Sequence, residues 1–331
     1  MDTMTFWWIA FIAIFIVVYA IDLYVTDHRK GGISVKTSLR WTGVWISIAL
    51  MFGLLLYFFF PENPEGIGNT SETMGLKFIA GYLTEYSLSV DNLFVFIMIF
   101  SMMGIKDSNQ SKLLKMGILI SIILRILFIL AGMTLVEKFH WIIYVFGVIL
   151  VYTAYKMAFS KEEDNMDPKS NFLYKGASKL FPVDPDAHHP SFFTKINGKT
   201  HITVMFLALL VIGSTDVLFA VDSIPAIIGV IKEGASGVLT ASEENYLAIS
   251  SNVFAVMGLI SLFFALKGIV GMFRFLKHGV SFILLFIGLK MLLGFFTPVE
   301  EFFSAHSWVS LAVIVFTLVA SIALSKVKIN F

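Results

Sequence analysis

The sequence predicts an all-α polytopic membrane protein with about nine transmembrane helices, and three observations carry this prediction. Of the 331 residues, 57% are hydrophobic and only 14% are charged, whereas about a quarter of a soluble domain is charged. Apolar segments of about 20 residues, the length that crosses a bilayer, recur along the whole chain. The loops between these segments alternate in charge. The 34 phenylalanines exclude a disordered chain, and the net charge of +1 gives no reason to expect a nucleic-acid partner.

Nine segments are predicted to span the membrane, and their bounds follow from the apolar runs. They are residues 4–26, 41–60, 73–103, 114–135, 139–157, 201–231, 246–272, 278–296 and 307–325. We do not expect the first segment to be a signal peptide, because its apolar run is too long and no positive charge precedes it. The lipid bilayer is therefore the first predicted partner of this chain.

The charges of the loops predict the orientation of the chain. The loop after the first span contains Arg29 and Lys30, whereas the next contains Glu62 and Glu65 and no lysine or arginine. This alternation continues to the end of the chain. Because basic loops remain in the cytoplasm, the N-terminus is predicted outside and the C-terminus in the cytoplasm. The longest loop, 158–200, is predicted to be cytoplasmic and solvated, with a short helix over 170–181.

Spans 3 and 6 share a local pattern that predicts an inverted repeat. Residues 85–97 read EYSLSVDNLFVFI and residues 216–228 read DVLFAVDSIPAII. Each has an acid, five residues, an aspartate, a small polar residue and an apolar run. The loop charges give the two spans opposite directions, as in many secondary transporters. The single transmembrane domain 1–331 is thus divided into repeat 1 (73–157), the cytoplasmic loop (158–200), repeat 2 (201–296) and accessory helices (1–60 and 307–331).

The acidic residues within the apolar segments are the main functional signal. These residues are Glu85, Asp91, Asp216 and Asp222. A lone carboxylate at the bilayer centre costs about 2.5–3.5 kcal/mol, so they must face a polar interior, be protonated or share a cation. Arg125 in span 4 and Lys290 in span 8 are the candidate partners for helix-to-helix salt bridges, but two cations cannot neutralise four acids.

The spacing within each motif raises a geometric question. Six residues along a helix turn through about 600°, so Glu85 and Asp91 do not share a face of a straight helix. A broken helix could bring the two acids of a motif together. In span 6, Pro225 has no N–H and is predicted either to interrupt the helix or to kink it. An interruption would leave the Val221 carbonyl as a further ligand.

The residue types indicate an ion with hard ligands. Carboxylates, amides and hydroxyls suit Mg²⁺, Ca²⁺ or Mn²⁺. We expect Asp91 and Asp222, the equivalent aspartates of the two repeats, to be direct ligands, with Asn92 and Ser223 as supporting oxygens. Asn252 in span 7 either makes a helix-to-helix hydrogen bond or lines the site. The chain has no cysteine, which removes disulfides and thiolate metal sites.

Several motifs resemble the TerC/Alx family of bacterial integral membrane proteins, within the LysE-like transporter group. They are GYLTEYSLSVDNLFVFIMIFS (81–101), STDVLFAVDSIPAI (214–227) and SNVFAVMGL (251–259), with weaker similarity over most of the chain outside 158–200. The resemblance implies a multi-pass protein of the bacterial inner membrane. It also implies a role in metal homeostasis, with export of Mn²⁺ expected first and Ca²⁺ second.

The resemblance also implies the residues that handle the metal. They are Glu85, Asp91, Asp216 and Asp222, with Asn92 and Ser223 adjacent. The sequence departs from the family pattern at Gly213, where many members have Glu three residues before the first Asp of the second motif. This departure bears on the ion and its coupling more than on the fold.

Other functions compete with export of a divalent cation. The acids could bind the ammonium group of an exported amino acid or other small solute, or the protein could be a membrane scaffold in tellurite resistance or envelope stress. An intramembrane protease is disfavoured, since the GxGD and HExxH signatures are absent, so no enzyme activity and no prosthetic group are expected. No GxxxxGK[ST] motif is present. Protons are therefore the expected coupling ion, with Glu85 and Asp216 as the predicted carriers.

Overall fold

A computed structural model describes most of the chain as helical. It describes residues 3–25, 34–63, 69–159, 168–184, 190–233, 235, 237–267, 275–294, 296, 298–299, 302 and 307–326. The long helices of the first half are α1 (Thr3–Val25), α2 (Val35–Phe59), α3 (Thr70–Met102), α4 (Asp107–Lys138) and α5 (Ile142–Phe159). Those of the second half are α7 (Val204–Lys232), α8 (Ala241–Val256), α9 (Leu259–Lys267), α10 (Leu276–Leu293) and α11 (Ser307–Lys326).

The helices agree with the predicted spans in position. Within the described ranges, seven helical stretches are long and apolar enough to cross a membrane by length and composition, with α8 and α9 counted together. Two shorter apolar stretches, His278–Leu293 and Val309–Ser325, lie within α10 and α11. The structure thus supports seven of the nine predicted spans, and the other two stay predictions.

Local sequence signals set the starts of the helices. Asn69 accepts a hydrogen bond from the Glu72 N–H at the start of α3. Thr240 and Glu243 form a reciprocal capping box at the start of α8. Such caps satisfy N–H groups that the first helical turn leaves without partners. Helix α3 begins at its cap, three residues before the predicted span, whereas α4 begins at Asp107 rather than at 114 without a side-chain cap.

Hydrogen bonds and ion pairs show that the loops between the helices lie at two opposite ends of the molecule. At one end, Asn63 Nδ2 donates to Glu243 Oε2 at 3.0 Å, joining the α2–α3 loop to the start of α8. At the other end, Lys267 Nζ lies 2.5 Å from Asp107 Oδ1, joining the end of α9 to the start of α4. This grouping is the one that the loop charges require. Which end faces the cytoplasm stays a prediction.

Helices of one predicted repeat pack against helices of the other. Helix α3 packs against α8, and α7 packs against α4, so the first helix of each unit contacts the second helix of the other. Helices α5 and α10, the third of each unit, pack on each other. A Cβ on Gly288 would lie 2.9 Å from the Gly147 carbonyl oxygen, and one on Gly147 would lie 3.1 Å from the Gly288 oxygen. This reciprocal packing is consistent with a repeat, which itself stays a prediction.

One predicted span is broken in the structure, and it is not the one that the sequence indicated. Helix α7 continues through Pro225 from Val204 to Lys232, so the prediction of a break in span 6 is wrong. The break lies in span 7, between α8 and α9, where Gly258 has a φ of +83°. A residue with a side chain rarely adopts the conformation of Gly258. A proline such as Pro225 is tolerated within a membrane helix because neighbouring groups can satisfy the carbonyl that it leaves without a hydrogen bond.

The loop 158–200 is more structured than the prediction of a solvated linker. The predicted short helix is present as α6 (Phe172–Leu180), preceded by a 3₁₀ turn at Pro168–Ser170. Strands β1 (Val183–Asp184), β2 (Phe193–Ile196) and β3 (Lys199–Thr203) form a sheet in the order β1-β3-β2. The first pair is parallel and the second antiparallel. Thr203 ends β3 and caps α7, so the sheet continues directly into the membrane domain.

Candidate functional site

An ion cluster buried among α3, α4 and α7 is the most unusual feature of the interior. Arg125 of α4 forms ion pairs with Glu85 of α3 and with Asp216 of α7. The distance from Arg125 Nη2 to Asp216 Oδ1 is 3.1 Å. The side chains of Arg125, Glu85 and Asp216 are 2%, 0% and 7% exposed. One guanidinium therefore joins the first acid of each sequence motif.

Two serines complete the contacts of this cluster. Ser121 lies one turn before Arg125 on α4; its Oγ donates to Asp216 Oδ2 at 2.6 Å and accepts from Arg125 Nε at 3.1 Å. On α3, Ser89 Oγ donates to Glu85 Oε1 at 3.2 Å. Sequence reasoning named Arg125 and expected Ser89 on the Glu85 face of span 3, but it missed Ser121. The spacing of four residues between Ser121 and Arg125 was the signal that could have found it.

The cluster uses one of the two Glu85 oxygens and both Asp216 oxygens. Among the described residues, Glu85 Oε2 is buried without a hydrogen-bond partner. Two carboxylates and one guanidinium leave a formal charge of −1. Removing an uncompensated charge from water costs several kcal/mol, so this arrangement favours a further cation near Glu85.

The aspartates that were predicted to be direct ligands fall on α3 and α7. Asp91 lies within α3 and Asp222 within α7; their side chains lie outside the described part of the structure. Both helices are continuous there, so each aspartate follows its partner acid by six residues and lies about 120° away around the axis. The structure therefore does not bring the two acids of a motif together by a helix break.

The supporting residues of the prediction differ in their surroundings. Asn92 is half-buried on α3, whereas Ser223 of α7 is 1% exposed and its hydroxyl has no hydrogen-bond partner in the described residues. The Val221 side chain is 53% exposed. Since Pro225 has no N–H, the Val221 carbonyl cannot accept the usual helical hydrogen bond from the residue four positions later. The helix is nevertheless unbroken there.

Asn252 is, like Glu85, a fully buried polar side chain among the predicted residues. It lies on α8, is 0% exposed, and neither amide atom has a hydrogen-bond partner among the described residues. The helix-to-helix hydrogen bond that was one of its two interpretations is therefore not observed there. Its neighbours Ser250 and Ser251 are also fully buried without partners. This part of α8 is a polar surface facing the interior.

Gly213 marks the position where the sequence departs from the resemblance. It lies on α7, one turn before Asp216, and a Cβ built on it would have no heavy atom within 4 Å. Packing therefore does not require glycine at this position, and the space beside it would accept a side chain.

The described residues contain no group of three or more His, Asp or Glu side chains that could together bind a metal ion. The donors available near the cluster are one free carboxylate oxygen and neutral oxygens. A complete ligand set from acids would need Asp91 and Asp222.

The described part of the loop 158–200 contacts the membrane domain close to the cluster. Asn171 caps α6, with its Oδ1 accepting from the Leu173 N–H at 2.9 Å. Its Nδ2 donates to Ser214 Oγ of α7 at 2.8 Å, two residues before Asp216. Lys112 of α4 donates to the Pro190 carbonyl at 2.8 Å. The loop is thus attached to α4 and α7, the helices of Arg125 and Asp216, and this contact was missed from sequence because its partners are 43 residues apart.

Lys290, the second candidate partner of the buried acids, lies elsewhere. It forms an ion pair with Glu233 at the end of α7 and donates to Ser310 Oγ at 3.0 Å. Beside it, Lys232 lies 2.6 Å from Glu244. These ion pairs join helices at the end of the molecule that the loop charges predict to be outside. Of the two candidate cations, Arg125 is therefore the one that pairs with Glu85 and Asp216.

The fold and the cluster together define a class of protein: a polytopic membrane protein with a buried ionic centre between its helices. The model of the Integral membrane protein TerC family matches residues 70–330, and the chain belongs to that family. The resemblance drawn from the acidic motifs is thereby confirmed at the level of the TerC family. No solved structure matches the chain.

Relatives extend the match over nearly the whole chain. It is 39% identical over 324 residues to "Uncharacterized membrane protein STKORF319" of Myxococcus xanthus, covering 97% of this chain and 92% of the relative. It is 33% identical over 290 residues to "Putative membrane-bound redox modulator Alx" of Salmonella typhi, covering 86% of this chain and 85% of the relative. A membrane protein of Rickettsia bellii is 31% identical over 323 residues, with 98% of both chains covered.

Proposed function

We propose that the protein exports a divalent cation, Mn²⁺ first and Ca²⁺ second, across the inner membrane of a bacterium. The observation that carries the proposal is the convergence of Glu85 and Asp216 on Arg125, because it brings the first acid of each motif to one buried position. With the two aspartates of the motifs, four carboxylates and one guanidinium sum to −3. A dication offsets that charge better than a monovalent ion. Membership of the LysE-like transporter group is also part of this proposal.

Contacts of the buried cluster support a change in the role that the sequence prediction gave to Glu85 and Asp216, while the predicted role of Asp91 and Asp222 is kept. Both oxygens of Asp216 and one of Glu85 are already engaged by Arg125 and two serines. We therefore assign direct binding of the ion to Asp91 and Asp222. Glu85 Oε2 is the remaining oxygen of the cluster that can contribute. In this proposal Arg125 and Asp216 hold the helices and set the charge of the site.

Energy for export is the second part of the proposal. Moving one charge against a potential of 100 mV costs about 2.3 kcal/mol, so an outgoing dication faces about twice that. Exchange for incoming protons would supply this energy. Because Glu85 and Asp216 share Arg125, the exchange of proton for metal is assigned to Asp91 and Asp222 rather than to the pair predicted from sequence.

Transport in reconstituted vesicles tests the proposal. Asp91→Asn and Asp222→Asn should each abolish Mn²⁺ movement and the proton counterflow that accompanies it, while protein remains in the membrane. Glu72→Gln is the matched control, since Glu72 lies on the same helix as Asp91 but is exposed in its first turn. It should transport like wild type.

The same vesicles separate the competing functions. If both aspartate variants move Mn²⁺ like wild type, the site is elsewhere. If wild type ignores Mn²⁺ but exchanges an amino acid, the protein is a solute exporter. If Mn²⁺ moves at a rate that does not depend on an imposed pH gradient, Mn²⁺ remains the exported ion and proton coupling is wrong. If nothing is transported, the scaffold function is favoured.

The names of some relatives suggest another activity. The Alx relatives are named putative membrane-bound redox modulators. The 331 residues contain no cysteine, so this chain has no thiol for disulfide exchange. We therefore propose metal transport as the activity of this chain.

A further inference from the structure

A buried polar stripe on α2 stands apart from the acidic cluster. Ser38, Thr42 and Trp45 follow one another at spacings of four and three residues, so they share one face of the helix. They are 0%, 8% and 5% exposed. Within the described residues, neither hydroxyl nor the indole Nε1 has a hydrogen-bond partner. A membrane helix rarely buries three such groups without a polar neighbour, because each costs about 1–3 kcal/mol.

The hydroxyls of this stripe behave differently from others in the membrane helices. A serine or threonine in a helix commonly donates to the carbonyl four residues back. Ser47, on the exposed face of α2, donates to the Gly43 carbonyl at 2.8 Å, and Thr134 donates to the Leu130 carbonyl at 2.8 Å. Ser38 and Thr42 do not use this bond. Their hydroxyls remain available to a partner in the space between helices.

The stripe leads to the break between α8 and α9. Helix α2 packs against α9, and a Cβ on Gly258 would lie 2.3 Å from Cδ1 of Trp45, the carbon that adjoins its indole nitrogen. At this break α8 ends inside predicted span 7. Its last carbonyls and its dipole carry partial negative charge, which favours a cation, as at the broken helices of transporters.

Beyond Trp45 the same face of α2 becomes apolar. Ala49 and Phe52 follow, and the Phe52 ring stacks on Phe254 of α8 at 4.8 Å between centroids. Phe78 of α3 contacts both rings. The polar half of the stripe therefore lies toward the start of α2, the end that loop charges predict to be cytoplasmic, and aromatic side chains cover the same face toward the other end.

We propose that the face of α2 bearing Ser38, Thr42 and Trp45 lines a half-channel that admits water and small hydrated cations from the cytoplasm to the break at Gly258. Buried hydroxyls and the indole N–H are satisfied by such water, as polar groups in protein interiors usually are. The half-channel goes beyond the proposed function, and it holds whichever ion the protein moves.

Cysteine labelling tests the half-channel, because the 331 residues contain no native cysteine. Ser38→Cys and Thr42→Cys are treated with a charged, membrane-impermeant thiol reagent, in whole cells and in inverted membrane vesicles. Ser47→Cys is the matched control on the exposed face of the same helix, and Ala49→Cys tests the apolar half. Labelling after denaturation shows that every variant carries a reactive thiol.

The half-channel predicts reaction at the two polar positions from the cytoplasmic side only. Thiols react as thiolates, and apolar surroundings disfavour ionisation, so Thr42→Cys should react at least about tenfold faster than Ser47→Cys or Ala49→Cys. Ser38→Cys should react faster still, and it keeps the test decisive if Thr42→Cys fails to accumulate. Equal rates at positions 42 and 47, or faster reaction from outside, would overturn the half-channel. Neither result depends on Mn²⁺ transport, so this inference and the proposed function fail separately.

Discussion

Replacing Arg125 by methionine should destabilise the protein more than any loss of an ion pair at its surface. The variant leaves the carboxylates of Glu85 and Asp216 buried without their shared cation. At 3.1 Å and an effective dielectric constant of about 20, the attraction between Arg125 and Asp216 is about 5 kcal/mol. Desolvation offsets part of this, and removing one member of a buried pair typically costs about 3–5 kcal/mol.

Thermal unfolding in detergent measures this cost. For a chain of this length, a loss of about 3–5 kcal/mol corresponds to a fall in Tm on the order of 5–10 °C. The control is Lys267→Met, which removes a cation paired with Asp107 where the two side chains are 31% and 71% exposed. An exposed pair contributes at most about 1 kcal/mol, so this variant should unfold close to wild type.

A triple variant separates the loss of charge balance from the loss of packing. Arg125→Met combined with Glu85→Gln and Asp216→Asn removes all three charges, so it should be more stable than Arg125→Met alone. Our reasoning would be refuted if Arg125→Met unfolded at the temperature of the control, or if the triple variant were no more stable than the single one.

Two further predictions concern the helix break and a helix start. Gly258→Ala should lower stability by about 2–4 kcal/mol, because the new Cβ meets Trp45 at a positive φ; Gly43→Ala, with open space around its Cβ, is the control, and equal Tm values would contradict this. The Ser71 hydroxyl lowers the pKa of Glu62 below 4.5. The stabilisation by Glu62, no more than about 1 kcal/mol, should therefore be present at pH 7 and lost as the pH falls through that lowered pKa. Glu62→Gln and wild type should then converge in Tm at low pH, and a gap that persists there would contradict it.

The acidic motifs show how far the sequence could predict the site. Carboxylates within apolar runs must meet compensating groups, so Arg125 could be named as a partner from its depth in span 4. The sequence could not show that one arginine joins the first acid of both motifs. That depends on α4 lying between α3 and α7, a packing arrangement of residues about 40 and 90 positions apart.

The helix break shows where local signals mislead. Pro225 has the strongest local tendency to interrupt a helix, yet α7 continues through it. Gly258 has no such signal within an apolar run. The break forms there because the backbone meets the ring of Trp45 from another helix and adopts a positive φ that glycine permits. Whether the helix breaks at Pro225 or at Gly258 therefore depends on contacts with other helices rather than on the helix propensity of either residue.

The sequence by itself determined that this is a polytopic membrane protein, where its apolar helices lie, and that Glu85 and Asp216 lie buried within them. These properties follow from composition and periodicity, because the bilayer acts on each apolar segment separately. Only the tertiary structure decided which acids share Arg125, where a helix breaks, and how the loop attached through Asn171 reaches Ser214. Those contacts join residues that are distant along the chain, and their energies depend on distance and burial, which no local pattern records.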